Sequence, residues 1–270
     1  MKPLNNVSKA INCILKPFGL RLCRANNKDT IRLFTYLQAI EQLCESFKVN
    51  IFPELPSCNR RVELMAKLIG TELSEALYLI AFLHKSLMLE GDVCEFGVAE
   101  GATSALLANE IISTQKSIWC FDSFKGLPKP SDKDILLNDI LNLGSIHNYQ
   151  GAMCSPISSI RSKLSEISFP GSRAKIIPGY IEATMLSDTL PQKVCFAYID
   201  FDFYNPTIVA LNFLHNHMSV GGYIIIDDYG VFSSGVKTAV AEFLEKHKNR
   251  YHLTFPHEFA GHFCMINKIG

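Results

Sequence analysis

Val194-Cys-Phe-Ala-Tyr-Ile199 runs straight into Asp200-Phe-Asp202, and Tyr223-Ile-Ile-Ile226 runs straight into Asp227-Asp228. Both apolar runs lack the polar alternation of a strand with one wet face, so they predict strands buried on both sides, as in a parallel sheet. Three more short apolar runs precede them: Val93-Cys-Glu-Phe96, Ile118-Trp-Cys-Phe121 and Ala174-Lys-Ile-Ile177. Helical patterns separate the runs, at 102–113, 156–166, 206–217 and 236–247. Strand and helix in alternation mean a doubly wound α/β sheet. After the fifth strand, His252–Pro256 and Phe263–Asn267 predict two late strands joined by a glycine-containing turn, a terminal β-hairpin. Before the first strand, helical spacing runs from Thr30 to Val49, resumes near Asn59 after Pro53 and Pro56, and starts again at Thr71.

With 270 residues, 48% of them hydrophobic and 19% charged, the chain can bury a full core. Its 26 basic and 26 acidic residues cancel, which excludes the global positive field of a nucleic-acid binder. The distribution is uneven. Residues 1–28 carry Lys2, Lys9, Lys16, Arg21, Arg24 and Lys28 with no acid, leaving positions 29–270 with 20 basic against 26 acidic residues. The apolar positions Ile11, Ile14, Leu15 and Phe18 of this segment share a helical face, which reads as a docking helix. We divide the chain into a basic, helical N-terminal extension at 1–70 and an α/β domain at 71–270. The apolar stretch Ala10–Leu20 is broken by Lys16 and Pro17 and lacks a cleavage site, so neither a transmembrane helix nor a signal peptide is expected. The nine cysteines form no Cys-x-x-Cys, which excludes a zinc ribbon or a thioredoxin-type site. Their odd number points to reduced thiols and a cytoplasmic location.

Ligands of open α/β sheets bind beyond the carboxyl ends of the strands. The first strand ends in Glu95-Phe-Gly97-Val98-Ala99-Glu100-Gly101-Ala-Thr103-Ser104, where two glycines let the backbone turn tightly at a helix start. Asp122 ends the second strand, 25 residues beyond Gly97, where an acid can take both hydroxyls of a ribose. Ser123 and Phe124 follow, and the aromatic ring could cover an adenine. Together these favour a nucleoside-containing ligand. Asp200, Asp202, Asp227 and Asp228 converge if strands four and five are neighbours. Four carboxylates in one spot require a cation or protons, and oxygen-only donors select Mg²⁺, Mn²⁺ or Ca²⁺ over zinc. His257-Glu258 and His262 mimic a zinc-protease motif, but their histidines stand five apart instead of four. No Gly-x-Ser-x-Gly elbow is present.

Five segments occur in order: Gly91-Asp-Val-Cys-Glu95-Phe-Gly97-Val98, Phe121-Asp-Ser-Phe-Lys-Gly-Leu-Pro128, Ile199-Asp-Phe-Asp-Phe-Tyr204, Ile226-Asp-Asp-Tyr-Gly230 and Gly235-Val-Lys-Thr-Ala239. In these the chain resembles the macrocin O-methyltransferase family, whose members methylate sugar hydroxyls of antibiotics with S-adenosylmethionine. The resemblance covers roughly residues 60–268. It implies a seven-stranded, mostly parallel Rossmann-like methyltransferase fold with S-adenosylmethionine and Mg²⁺ as cofactors. It further implies that Glu95, Gly97, Val98, Ala99, Glu100, Gly101, Thr103 and Ser104 hold the methionine part. Asp122 would take the ribose, and Ser123 and Phe124 would border the adenine. Asp200, Asp227 and Asp228 match the family's Mg²⁺ ligands, and Asp202 matches its general base. The loop departs from the family's usual Trp-Arg-Gly-Gly, since Ala99-Glu100-Gly101-Ala102 puts an acid where the family has arginine. The expected partners are a sugar-containing small molecule and a second copy of the chain in a homo-oligomer, a dimer. Two other readings stay open: a metal-dependent glycosyltransferase using Asp200-Phe-Asp202, and a methyltransferase-fold protein that binds cofactor without turnover.

Overall fold

A computed structural model describes residues 28–187 and 189–270. The basic segment ahead of Lys28, with its Ile11, Ile14, Leu15 and Phe18 face, lies outside the described residues. Seven strands form one sheet in the order β3-β2-β1-β4-β5-β7-β6. They are β1 (Asp92–Phe96), β2 (Ile118–Asp122), β3 (Ala174–Pro178), β4 (Val194–Ile199), β5 (Met218–Ile226), β6 (Tyr251–Thr254) and β7 (Cys264–Lys268). The first five pair in parallel, while β7 pairs antiparallel with both β5 and β6. The terminal hairpin thus adds its second strand to the sheet first, and the order reverses between β1 and β4.

Among the described residues eight α-helices flank the sheet: α1 (Lys28–Asn50), α2 (Arg61–Met65), α3 (Leu73–Ser86), α4 (Ala102–Glu110), α5 (Ile157–Glu166), α6 (Ile181–Thr184), α7 (Tyr204–His217) and α8 (Ser234–Lys246). Successive residues of β4 serve opposite layers, as the period of two dictates. Phe196 and Tyr198 join Leu77, Ile80, Leu106 and Ile160 on the face covered by α3, α4 and α5. Ala197 and Ile199 join Leu211, Leu214, Val240 and Phe243 on the face covered by α7 and α8. Every residue of β4 is buried, which accounts for its unbroken apolar run. Among the described residues no helix is long and apolar enough to cross a membrane.

Two boundaries differ from the sequence reading by three residues or more. β5 starts at Met218, five residues before the expected Tyr223, because Gly221 and Gly222 do not break it. The pairing with β4 slips between Val194↔Met218 and Phe196↔Tyr223, so β5 carries the extra residues as a bulge. Gly221 adopts φ +89°, and a Cβ on Gly222 would lie 2.7 Å from the Cys195 carbonyl oxygen. The helix expected at 102–113 ends at Glu110. Here the chain is held by side chains: Arg61 of α2 grips Glu110 with Nε and Nη2, both at 2.7 Å, and His84 of α3 reaches Oε2 at 2.8 Å.

Candidate active site

Register aligns the strand ends. Phe96 pairs with Phe121 and Ile199, and Ile199 with Ile226, so the residues that follow leave the sheet in one row. Backbone bonds carry the ladder one step further, from Gly97 N to Phe121 O at 2.9 Å, Asp200 N to Phe96 O at 2.7 Å and Asp227 N to Ile199 O at 2.9 Å. Gly97 has φ +88°, and a Cβ there would fall on the Asp200 carbonyl oxygen. Only glycine lets the β1 loop pass the end of β4 this closely.

Asp122 organises that loop. Its Oδ2 accepts the amides of Val98 at 2.8 Å and Ala99 at 2.9 Å, and its Oδ1 accepts the Phe124 amide at 2.6 Å. A carboxylate offers about four lone-pair sites, so one remains for a ligand hydroxyl. Ser123 closes the next turn by donating to Gly126 O at 2.8 Å, and Phe124 is half-buried against the core. Glu95 is buried beneath the loop and shares a very short bond with Ser104 Oγ. Burial pushes its carboxyl up to about 8, with Ser104 acting in the opposite direction. Thr103 Oγ1 meets Thr71 Oγ1 at 3.0 Å, tying the first turn of α4 to the approach of α3. Glu100 is exposed and faces Lys163 of α5 at 3.4 Å, so the acid in this variant loop has its own cation.

The acidic residues do meet. Asp200, Asp202 and Asp228 each present a carboxylate oxygen within 4.8 Å of the others. Asp202 and Asp228 hold this place with φ of 64° and 54°, a region that non-glycine residues enter at a cost of about 1–3 kcal/mol. Asp227 lies beside this group and turns toward the α3 side. Its Oδ1 accepts the Asp228 amide at 2.7 Å, and its Oδ2 accepts the Tyr198 hydroxyl at 2.9 Å. Burial, followed by repulsion from Asp227 and Asp228, pushes Asp200 well above the carboxylate range. Burial and the charges of Asp228 and Asp200 do the same to Asp202, and Asp227 is pushed up to about 7 by burial and Asp228.

Three site features have no counterpart in the sequence reading. Glu75 of α3 is buried, with Oε1 3.1 Å from Tyr198 Oη. Tyr198 has the same parity as Asp200 on β4, which was a usable signal; an acid on the apolar helix Leu73–Leu83 was another. Asp134 accepts Ser131 N, Ser131 Oγ and Tyr204 N at 2.6–2.7 Å, pinning the segment after Pro128 to the start of α7. That segment also packs Tyr149 and Ile146 onto Phe203 and Phe232, forming a small apolar cluster of its own. The dismissed zinc motif is a 3₁₀ turn, Glu258–Ala260, and His257 Nδ1 bonds Tyr78 Oη at 2.8 Å.

A parallel five-stranded sheet extended by an antiparallel hairpin, with a glycine loop after β1 and an acid after β2, defines the Rossmann-like methyltransferase fold. Residues 73–257 match the macrocin O-methyltransferase (TylF) family, and the chain belongs to that family. It is 30% identical over 164 residues to mycinamicin III 3''-O-methyltransferase of Micromonospora griseorubida, covering 58% of this chain and 61% of that one. It is 25% identical over 173 residues to 8-demethyl-8-(2,3-dimethoxy-alpha-L-rhamnosyl)-tetracenomycin-C 4'-O-methyltransferase of Streptomyces olivaceus, covering 62% and 61%. The chain therefore spans about three-fifths of the length of these relatives. Among solved structures it resembles the O-methyltransferase NovP, with TM-score 0.63, 19% identity and coverage of 87% of this chain and 99% of that one. CalS11, a calicheamicin methyltransferase, gives 0.56, 18%, 85% and 91%. Both support the fold.

Proposed function

We propose that this chain is an S-adenosylmethionine-dependent O-methyltransferase that methylates a hydroxyl of a sugar or glycosylated metabolite with the help of Mg²⁺. The observation that carries this reading is the single row of strand ends, which sets the Gly97–Gly101 loop and Asp122 beside the carboxylates of β4 and β5. A glycosyltransferase would need only Asp200 and Asp202, leaving the loop, Asp122 and family membership without a role. The intact acidic group likewise argues against a protein that only binds cofactor.

The residues fit both groups. The clustered donors are carboxylate oxygens, and burial drives all four aspartates up, with repulsion between them adding to it at Asp200, Asp202 and Asp227, which a bound dication would offset. Asp200 and Asp228 would hold the ion. Asp227 would complete the set through the lone pairs that Tyr198 and the Asp228 amide leave free. When bound, Mg²⁺ would supply Lewis acidity at the substrate oxygen. Asp202, the third member of the convergent group, would take the hydroxyl proton as the methyl group passes from the cofactor sulfur to the substrate oxygen. On the neighbouring strands, Asp122 would hold the ribose hydroxyls, Ser123 and Phe124 would border the adenine, and the loop from Gly97 through Val98, Ala99, Glu100 and Gly101 to Thr103 would lie along the methionine part. Glu95 and Ser104 brace that loop from below.

The test is transfer of labelled methyl from S-adenosylmethionine to hydroxylated sugars and glycosides, with Mg²⁺ and with chelator. Transfer that survives complete chelation would remove the metal from the reading. Calorimetry on Asp122→Ala should show cofactor binding weakened by about 1.5–3 kcal/mol, the usual loss for a charged hydrogen-bonding group. Unchanged affinity would remove Asp122 from the cofactor site.

We also propose a cytoplasmic homodimer. Free cysteines at 44, 58, 94, 120, 154, 195 and 264 support a reducing location. Ile31 and Phe34, 48% and 61% exposed on the first half of α1, support self-association through that helix. Light scattering should give twice the chain mass, and Phe34→Asp should give the monomer. A monomeric wild type would overturn this.

A further inference from the structure

We propose that Glu75 and Tyr198 are a positioning pair that sets the orientation of the Asp227 carboxylate. The inference rests on the reading of Asp227 as one of the carboxylates that hold the cation.

The starting observation is an acid where none belongs. Of the residues of α3, Ala76, Leu77, Leu79, Ile80 and Leu83 are buried against the sheet, and Glu75 is buried with them at 3% exposure. A buried carboxyl is expensive unless its oxygens are bonded. Among the described residues no lysine, arginine or histidine bonds to Glu75; its hydrogen bond is to Tyr198 Oη, at 3.1 Å. Tyr198 is itself 1% exposed, and its hydroxyl reaches past Glu75 to Asp227 Oδ2 at 2.9 Å. A phenol has one proton, so it donates in one of these bonds and accepts in the other. The result is a hydrogen-bonded chain from α3, through β4, to the end of β5.

Parity explains why these three meet. Phe196 and Tyr198 point to the α3 side of β4, and Ile225 points to the same side of β5, so Asp227, two residues on, does too. Asp227 is therefore fixed at both oxygens, by Tyr198 on Oδ2 and by the Asp228 amide on Oδ1. The amide bond is local to the turn and survives any change in α3. Among the described residues the Tyr198 bond ties the carboxylate to the packed core, with the Glu75 carboxyl close beside it, and Glu75 in turn holds the phenol. Partners of this kind around metal ligands typically carry about 10–100-fold in metal affinity.

Mn²⁺ reports on the site without turnover. Its dissociation constant, measured on the full chain from the electron paramagnetic resonance signal of free Mn²⁺, is compared between wild type, Tyr198→Phe, Glu75→Leu and Glu75→Gln. Near-ultraviolet circular dichroism checks that each is folded, and Tyr198→Phe keeps the buried ring. The expected result is a dissociation constant raised about 10–100-fold in Tyr198→Phe and Glu75→Leu. Glu75→Gln, which retains a donor for the phenol oxygen, should stay close to wild type. An unchanged constant in Tyr198→Phe, with wild type binding Mn²⁺, overturns the pair and leaves the cation reading standing. A loss in Glu75→Gln equal to that in Glu75→Leu also overturns it, because Glu75 would then act through its charge. Failure of wild type to bind Mn²⁺ overturns the cation reading and the pair with it.

Discussion

Asp202→Asn should lose about 10²-fold or more in turnover, retain cofactor and metal affinity, and gain nothing from excess Mg²⁺. The expectation follows from what each aspartate already does. Asp202 sits in the convergent group with Asp200 and Asp228, and the bond made by its main chain, Ser233 Oγ to its carbonyl at 2.8 Å, leaves its carboxylate to the cluster. An amide in its place cannot accept a proton, while the backbone turn at φ 64° suits asparagine as well as aspartate. Asp227→Asn should behave differently. It weakens a ligand, so the Mg²⁺ concentration for half-maximal rate should rise, and excess metal should recover part of the loss. Steady-state rates across a Mg²⁺ series separate the two. Equal rescue of both variants would mean that ligand and base are not divided in this way, and Asp202 would then be the third ligand that its place in the cluster also permits.

How far the sequence reached depends on whether a signal was local. β4 was legible because burial on both faces removes every polar residue from Val194 to Ile199, and Asp200 then marks where the sheet ends. Asp122 and the glycine loop were legible for the same reason, since a strand end is where the apolar run stops. The start of β5 was not, because Gly221-Gly222 has the composition of a turn and becomes a bulge only through its pairing with β4. The aspartates were expected to share a spot, and they do so unevenly. Asp200, Asp202 and Asp228 converge, whereas Asp227 is drawn to Tyr198, a residue whose polar atom was hidden within an apolar strand. Glu75, Asp134 and Glu110 were missed because each acts on a group far away in sequence: Glu75 on Tyr198, Asp134 on Tyr204 and Glu110 on Arg61. Spacing can mark such a residue as out of place, as it does for Glu75 on an apolar helix, but it does not say which distant group is its partner.

Glu110→Gln should destabilise the fold by about 3–5 kcal/mol, the usual loss when one member of a buried ion pair is removed and the other charge is left uncompensated. Glu110 is 4% exposed and Arg61 6%, with two bonds of 2.7 Å between them. The pair joins α2 to α4, and His84 adds α3, so two of the helices that precede the sheet are fastened at this point to the helix that follows the glycine loop. Replacing both partners together, Arg61→Met with Glu110→Leu, should restore most of the loss, because the buried guanidinium and its counter-charge are then removed together. The pH dependence has a definite sign. Burial alone would push the Glu110 carboxyl up, but the bonds to Arg61 and His84 win and hold it below the ordinary carboxylate value. A carboxyl depressed in the folded state contributes stability that is complete above its unfolded pKa and disappears as pH falls through the folded one. Urea midpoints should therefore converge between wild type and Glu110→Gln on acidification below the ordinary carboxylate range, and differ fully near neutrality. A gap that is the same at pH 7 and in strong acid would mean that Glu110 stabilises through packing, not through its charge.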